Sequence, residues 1–444
     1  MTPIAPEPQP APVPEATQAG DVRARWAWTE PEVWTERMLT ALEQGVKGGV
    51  WFSLIDKVYA PRTLAAAWRH VKANDGAAGV DRVTVAMYER DLDTNLARVS
   101  QQLRDGTYRP QPVRRTWIDN PGSREPRPLG IPTVRDRIVQ TALRLVLEPI
   151  FERHFAAHSY GFRPGRGCKD ALRRVTTLLE AGHTWIVDAD LRSYFDSIPH
   201  QPLLARVRTQ VADGRVLALL EHFLTQRVMD GLDAWTPEEG TPQGAVVSPL
   251  LANSYLDPLD HDMAGAGFEM VRYADDFVIL CRTEEEAQQA LARITAWTQA
   301  AGLTVHPQKT RLVDVAQPGG FDFLGYHFER ELCWPRTKSL GKLKARVRVK
   351  TRRTRGESMA VIIADVNRTL RGWFGYFQHS HRTTFPRLDQ WVRMRLRSIL
   401  RKRSGRRGRG RGRDHQRWPN AYFAEHELFC LTTAHRLARQ SAPR

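Results

Sequence analysis

Two apolar runs, 268–272 and 277–282, flank Tyr273-Ala274-Asp275-Asp276. Such runs read as strands, and so short a connection makes them a hairpin with two adjacent carboxylates at its turn. Adjacent carboxylates repel, so the pair must be exposed or neutralised by a cation. An Asp-Asp in a turn is, by itself, ordinary turn chemistry. A second charged strand argues against that reading. Trp185-Ile186-Val187-Asp188-Ala189-Asp190 is apolar except for its two aspartates, and a charge inside an apolar strand is costly without a partner. Asp190 beside Asp275 would make a site of hard oxygen ligands, the donor set that suits Mg²⁺ together with phosphate oxygens. Two such ions about 3.5–4 Å apart can activate a 3′-hydroxyl and stabilise a leaving pyrophosphate. Catalysis is then mostly positioning and charge stabilisation.

The charge distribution names the kind of partner. A net charge of +17 points to a polyanion, either nucleic acid or an anionic membrane surface. Between 336 and 413, 25 Lys and Arg stand against Glu357, Asp365 and Asp389, a net of +22 that leaves −5 for the rest of the chain. Arginine dominates, and its planar fork suits bidentate phosphate contacts. A GC-rich genome would also raise arginine, so the excess does not decide the matter alone. No apolar run reaches membrane-spanning length, and the N-terminus lacks a basic-then-apolar signal pattern. Cys168, Cys281, Cys333 and Cys430 form no C-x-x-C pair, which argues against a disulfide framework or zinc knuckle and fits a reducing compartment. The expectation is a soluble, intracellular protein.

With 444 residues the chain can hold two to three domains. Residues 1–20, with prolines at alternate positions, read as an extended tail. Residues 31–75 read as helices broken at Pro61, and Asn74-Asp75-Gly76 as a turn. A helix is expected over 136–155, with Ile138, Ala142, Leu145, Val146, Ile150 and Phe151 on one side. Further helices are expected at 168–179, 202–212, 216–228 and 283–301, and strands at 303–306, 310–315 and 321–328. Residues 342–352 alternate basic and other residues with period two, which taken literally is a strand. Residues 359–377 and 385–403 are helical in pattern. Residues 403–413 are Gly/Arg-rich and read as unstructured until they meet nucleic acid.

Ordered blocks of residues carry a family resemblance. They are Asn74-Asp75-Gly76-Ala77-Ala78-Gly79-Val80-Asp81, Arg127-Pro128-Leu129-Gly130-Ile131-Pro132 and Ser159-Tyr160-Gly161-Phe162-Arg163-Pro164. Asp190-Leu191-Arg192-Ser193-Tyr194-Phe195-Asp196, Gly240-Thr241-Pro242-Gln243-Gly244 and Ser248-Pro249-Leu250-Leu251-Ala252-Asn253 follow. Tyr273-Ala274-Asp275-Asp276, Lys309-Thr310 and Phe323-Leu324-Gly325-Tyr326 complete the series. In order and spacing the chain resembles the reverse transcriptase/maturases encoded by bacterial group II introns, from about residue 63 to 403.

The resemblance implies an α+β right-hand polymerase. Fingers and a palm with an antiparallel sheet would span 21–335, and an all-helical thumb/maturase region 336–403. A basic linker and C-terminal nucleic-acid-binding segment would follow over 404–444. Asp190, Asp275 and Asp276 would be the catalytic carboxylates. With the Leu191 carbonyl they would hold the Mg²⁺ ions of a two-metal site. Phe195 would exclude a 2′-hydroxyl, Gln243 would lie beside the nucleotide, and Arg127 and Arg135 would meet its triphosphate. Asp196 reads as structural. Lys309, Arg368, Arg371, Arg393 and Arg397 would contact nucleic acid, although each arginine alone also suits a solvated surface. The family has a helix over 342–352, and that reading is preferred to the strand.

The implied partners are group II intron RNA, an RNA template with a DNA primer, target DNA and deoxynucleotides, with no membrane. Dimerisation through the N-terminal or fingers region is compatible with the residues. The place would be the bacterial cytoplasm, and the nucleoid when bound to DNA. Cys430 stands alone where many relatives carry a cysteine-paired endonuclease. Trp418-Pro419-Asn420-Ala421-Tyr422-Phe423 is similar to the ending of the endonuclease-lacking group IIC type. The activity implied is RNA-directed DNA synthesis, with assistance to intron splicing and retrohoming. The alternatives are a splicing-only maturase, which would ordinarily have lost the carboxylates, and a domesticated or defence-linked reverse transcriptase. A template-dependent RNA polymerase is more distant.

Overall fold

The computed structural model describes residues 22–46, 48–118, 126–408, 410 and 412–440. The segment expected as an extended tail, 1–20, lies outside them. The described residues gather into two compact units, one within the bounds Met1–Phe155 and Phe195–Tyr255, the other within Ala156–Tyr194 and Leu256–Arg444.

The first unit is built on the helix Val134–Glu152. Thr133 Oγ1 caps it by accepting from Asp136 N (3.1 Å). The expected apolar side is buried, but so are Val139, Leu143 and Leu147, because the helices Ile55–Tyr59 and Pro61–Asn74 pack against it. Asp136 is fully buried. It accepts from Tyr108 Oη (2.5 Å) and Gln111 N (3.0 Å), which replace its lost water. The helix expected over 216–228 is Gly214–Leu224. Residues beyond it form a hairpin, Val228–Asp230 with Asp233–Trp235, turned at Gly231. These strands join Val113–Ile118 and Arg127–Ile131 in one sheet, whose order is Arg127–Ile131, Val113–Ile118, Val228–Asp230, Asp233–Trp235. The outer pairings are antiparallel and the central one is parallel.

The second unit holds a four-stranded antiparallel sheet in the order Glu269–Tyr273, Asp276–Cys281, Trp185–Asp190, Arg311–Asp314. The helices Cys168–Glu180 and Glu284–Ala300 pack against it. The strand expected over 303–306 reduces to a single bridge, Leu191 with Val305. The strand expected over 321–328 is instead a hairpin, Phe321–Phe323 and Tyr326–Glu329. Leu324 (φ 46°) and Gly325 (φ 82°) turn the chain between them, and Leu332–Pro335 adds a third strand.

The rest of this unit is helical among the described residues. Residues 342–350 belong to the helix Thr337–Lys350. Leu343 and Val347, four apart, are its buried contacts, so the packing period is helical despite the alternating charges. Met359–Phe377 and Thr384–Arg403 complete a bundle around Ile362, Val366, Leu370, Phe385 and Leu396. The C-terminal segment folds back on it. Asn367 donates through Nδ2 to Glu427 O (2.8 Å) and accepts through Oδ1 from Phe429 N (2.7 Å). Buried Asp389 accepts from Leu431 N and Thr432 N (both 2.9 Å) at the start of the helix Leu431–Gln440.

Arg397, expected to face nucleic acid, is 2% exposed. Its guanidinium donates to Trp418 O and Asn420 Oδ1 (both 2.8 Å). It anchors the Trp418-Pro419-Asn420 turn, and burial withholds it from any phosphate. Of the Gly/Arg segment, Arg409 and Arg411 lie outside the described residues, whereas Gly410 N donates to Ser398 Oγ (3.1 Å). All four cysteines are free thiols. Among the described residues no helix is long and apolar enough to cross a membrane.

Candidate active site

Strand alternation assembles the carboxylates. Asp190 pairs directly with Asp276 across Trp185–Asp190 and Asp276–Cys281. Side chains two apart on a strand share a face, so Asp188, Asp190 and Asp276 project on the same side. Tyr273 pairs with Asp276, which leaves Ala274 and Asp275 as the two turn residues. Burial, then the charges of Asp275, Asp188 and Asp190, pushes the Asp276 carboxyl up to about 7. Asp188 is also raised, first by burial, against the hydrogen bond from Arg311 Nε (3.0 Å). Lys309 Nζ donates to Asp190 Oδ2 (2.7 Å). Among the described residues no three His, Cys, Asp or Glu side chains close into a ready metal cage. The donor set nevertheless fits a hard divalent cation: carboxylates crowd one sheet end, and burial, then their mutual repulsion, disfavours the charged form of Asp276. Leu191, the expected carbonyl ligand, directly follows Asp190 and bridges to Val305.

The turn is held from behind by residues the sequence reading passed over. Arg272 is fully buried. Its Nε donates to both oxygens of Asp260 (2.8 and 3.0 Å), and Nη1 donates to Ala274 O (2.9 Å). Ala274 has φ 60°, a left-handed conformation that costs energy without glycine. Segment 158–161 runs along this edge: Tyr160 N donates to Arg272 O (2.8 Å) and Arg272 N to His158 O (3.0 Å). A Cβ on Gly161 would lie 2.2 Å from Ala274 N. That close approach is a physical reason for glycine in the Ser159–Pro164 block. The signal for Arg272 was present, because a charge inside an apolar strand requires a partner.

The nucleotide candidates lie in the other unit. Arg127 Nε donates to Gln243 Oε1 (2.9 Å), and Gln243 Nε2 donates to Asp196 Oδ2 (2.8 Å). Asp196 therefore joins Arg127 and Gln243 in one relay beside a cavity of about 320 Å³. Gly130 N donates to Gln243 O (2.7 Å), and a Cβ on Gly244 (φ 104°) would meet Gly130 O at 2.3 Å. Phe195 is half-buried in the short helix Tyr194–Ser197, and its carbonyl accepts from Thr241 N (2.6 Å). Arg135 is committed elsewhere: it donates to Arg109 O (2.7 Å) and lies over the Tyr108 ring. Of the arginines expected to meet nucleic acid, Arg368 is exposed but paired with Asp365 (2.9 Å). Arg371 is exposed over the Phe429 ring, and Arg393 is half-buried.

Two stretches of the chain match known protein families. Residues 118–328 match the family model "Reverse transcriptase (RNA-dependent DNA polymerase)", and residues 340–418 match "Group II intron, maturase-specific domain". Protein YkfC of Escherichia coli (strain K12) is 32% identical over 349 residues, 69% of this chain and 87% of that protein. The group II intron-encoded protein LtrA of Lactococcus lactis subsp. cremoris is 37% identical over 202 residues, 45% of this chain. The matched stretch is only 33% of the length of LtrA. A solved structure, a partial Cas6-RT-Cas1–Cas2 complex, aligns over 56% of this chain and 41% of that one, with 26% identity and a TM-score of 0.36. This chain belongs to the group II intron-encoded reverse transcriptases, an RNA-directed DNA polymerase region followed by a maturase-specific domain.

Proposed function

We propose that the chain extends a DNA primer on an RNA template with deoxynucleotides, and that it binds and assists the splicing of a group II intron RNA and its return to target DNA. The observation that carries this reading is the carboxylate set of Asp190, Asp275 and Asp276 at one end of the antiparallel sheet. Asp190 and Asp275, with the Leu191 carbonyl, would hold two Mg²⁺ ions, and Asp276 would complete the acidic field. Bound Mg²⁺ supplies charge stabilisation to the attacking 3′-hydroxyl and the leaving pyrophosphate. Lys309 then exchanges Asp190 for a phosphate. Arg127 and Gln243 would take the triphosphate and sugar, with Asp196 orienting the Gln243 amide. Phe195 would exclude the 2′-hydroxyl. These partners belong to the bacterial cytoplasm and nucleoid.

Primer extension on an RNA template, with Mg²⁺ and each nucleotide set, tests the reading. Wild type should incorporate deoxynucleotides. Asp190→Ala and Asp275→Ala should each lose at least about 10²–10³-fold in kcat while still binding RNA. A folded, RNA-binding wild type that incorporates nothing would make the chain a splicing cofactor instead.

A further inference from the structure

The second unit contains a cavity of about 620 Å³ that none of the polymerising residues lines. The helix Cys168–Glu180 contributes Lys169 and Arg173 to it, the loop after Met359–Phe377 contributes His379, His381 and Arg382, and the helix Leu431–Gln440 contributes His435 and Arg439. Among the described residues Lys169, Arg382 and Arg439 form no ion pair. Burial first, and then Arg173, Lys169 and His435, hold His379 below the usual imidazole range. Burial, Arg439 and His381 do the same to His435. The lining carries Lys169, Arg173, Arg382 and Arg439 against Glu180 and Glu331, and although Asp170 pairs with Arg173 (2.6 Å), the balance of the lining charges is positive. Parts of the wall are fixed in advance. His435 stacks on Phe385 with centroids 4.5 Å apart, and His381 N donates to Cys333 O (2.7 Å). The imidazoles do not converge on a metal-sized point.

We propose that this cavity is a second nucleic-acid site, which takes the sugar–phosphate backbone of a single-stranded RNA segment. Lys169, Arg382 and Arg439 supply cations for phosphates, and the imidazole edges supply further donors and stacking surface. Glu180 and Glu331 also line the cavity. They would oppose any polyanion alike, but they can accept from ribose 2′-hydroxyls and base amino groups, which acidic side chains do not offer, and this favours RNA. The inference rests on the reading that the chain handles RNA, but not on its polymerising.

The test uses the full chain with the primer–template in saturating amount, so that the polymerising site is filled. A fluorescent 12-nucleotide oligo(U) RNA is then titrated in. The expected result is saturable binding, weaker for oligo(dU). Arg382→Glu/Arg439→Glu should weaken it by at least about tenfold and reduce the slope of log K against log salt by about 1.4, two contacts at roughly 0.7 each. The variant's primer-extension kcat should stay that of wild type, which also certifies its fold. An unchanged affinity and slope in the variant would overturn the proposal. So would loss of all oligo(U) binding once the primer–template is bound, or equal displacement by poly-glutamate. If wild type extends no primer, the polymerase reading fails while the oligo(U) titration still decides the cavity.

Discussion

Asp276 is the residue at which the site's electrostatics can be tested without chemistry. With its carboxyl pushed up to about 7 by burial and by Asp275, Asp188 and Asp190, the folded metal-free protein holds a proton that the unfolded chain releases near pH 4. Between those two values the native state binds more protons, so this group's contribution to stability falls as pH rises. In EDTA, the melting temperature of wild type should decline from pH 5 to 8 more steeply than that of Asp276→Asn. A divalent cation relieves the same repulsion, so added Mg²⁺ should raise the wild-type melting temperature more at pH 8 than at pH 5.5. Thermal melts across that grid check both statements, and parallel pH slopes for the two proteins would remove Asp276 from the acidic field. The sequence made the residue types legible here, because Asp190 and Asp275-Asp276 interrupt apolar strands. It left Asp188 undecided, although period-two alternation alone puts it on the face of Asp190. It assigned Asp196 to structure only, because its contact with Gln243 spans 47 positions that no local pattern connects.

At the scale of elements, the carboxylate hairpin depends on a buried fork. Arg272 binds Asp260 of the helix Ser248–Gly265 and, through Nη1, the carbonyl of strained Ala274. Removing one partner of a buried pair leaves an uncompensated charge, so Arg272→Ala should cost about 3–5 kcal/mol of stability. Arg272→Lys keeps the charge and loses the fork. It should fold, yet lower kcat by about tenfold or more, the rate equivalent of one charge-assisted hydrogen bond worth ~1.5–3 kcal/mol. It should also raise the Mg²⁺ concentration that half-saturates extension, with primer–template KM unchanged. A Lys variant that is less stable but wild-type in kcat and metal dependence would make the fork purely structural. Helices such as Cys168–Glu180 and Met359–Phe377 were readable from their one-sided apolar patterns, whereas the helix Leu431–Gln440 was not assigned. Nor was the turn in 321–328, since Leu324 adopts a positive φ that no sequence rule assigns to leucine. For 342–350, alternating charge imitated a strand, while Leu343 and Val347 alone reported the packing.

Over the whole molecule, the net +22 between 336 and 413 overstates the charge offered to RNA. Asp365 engages Lys350, Arg355 and Arg368, and their hydrogen bonds hold its carboxyl well below the usual carboxylate range. Arg401 pairs with Asp414 (2.6 Å). Arg397 is spent on the backbone of the C-terminal segment, a use invisible in sequence because Trp418 lies 21 positions away. The cations left for phosphate are exposed ones such as Lys342, Arg346 and Arg371. Each phosphate contact changes the salt slope of single-stranded RNA binding by roughly 0.7. Arg371→Ala and Lys342→Ala/Arg346→Ala should therefore flatten log K against log salt, by roughly 0.7 and 1.4, and leave the melting temperature near that of wild type. Arg397→Ala should do the reverse. Its slope should stay constant, while the acceptors it abandons on Trp418 and Asn420 cost about 1–3 kcal/mol. RNA binding and thermal melts across a KCl series separate the two behaviours. A salt slope that changes for Arg397→Ala but not for Arg371→Ala would mean that the fold-back of the C-terminal segment opens when RNA arrives, freeing the buried guanidinium for phosphate.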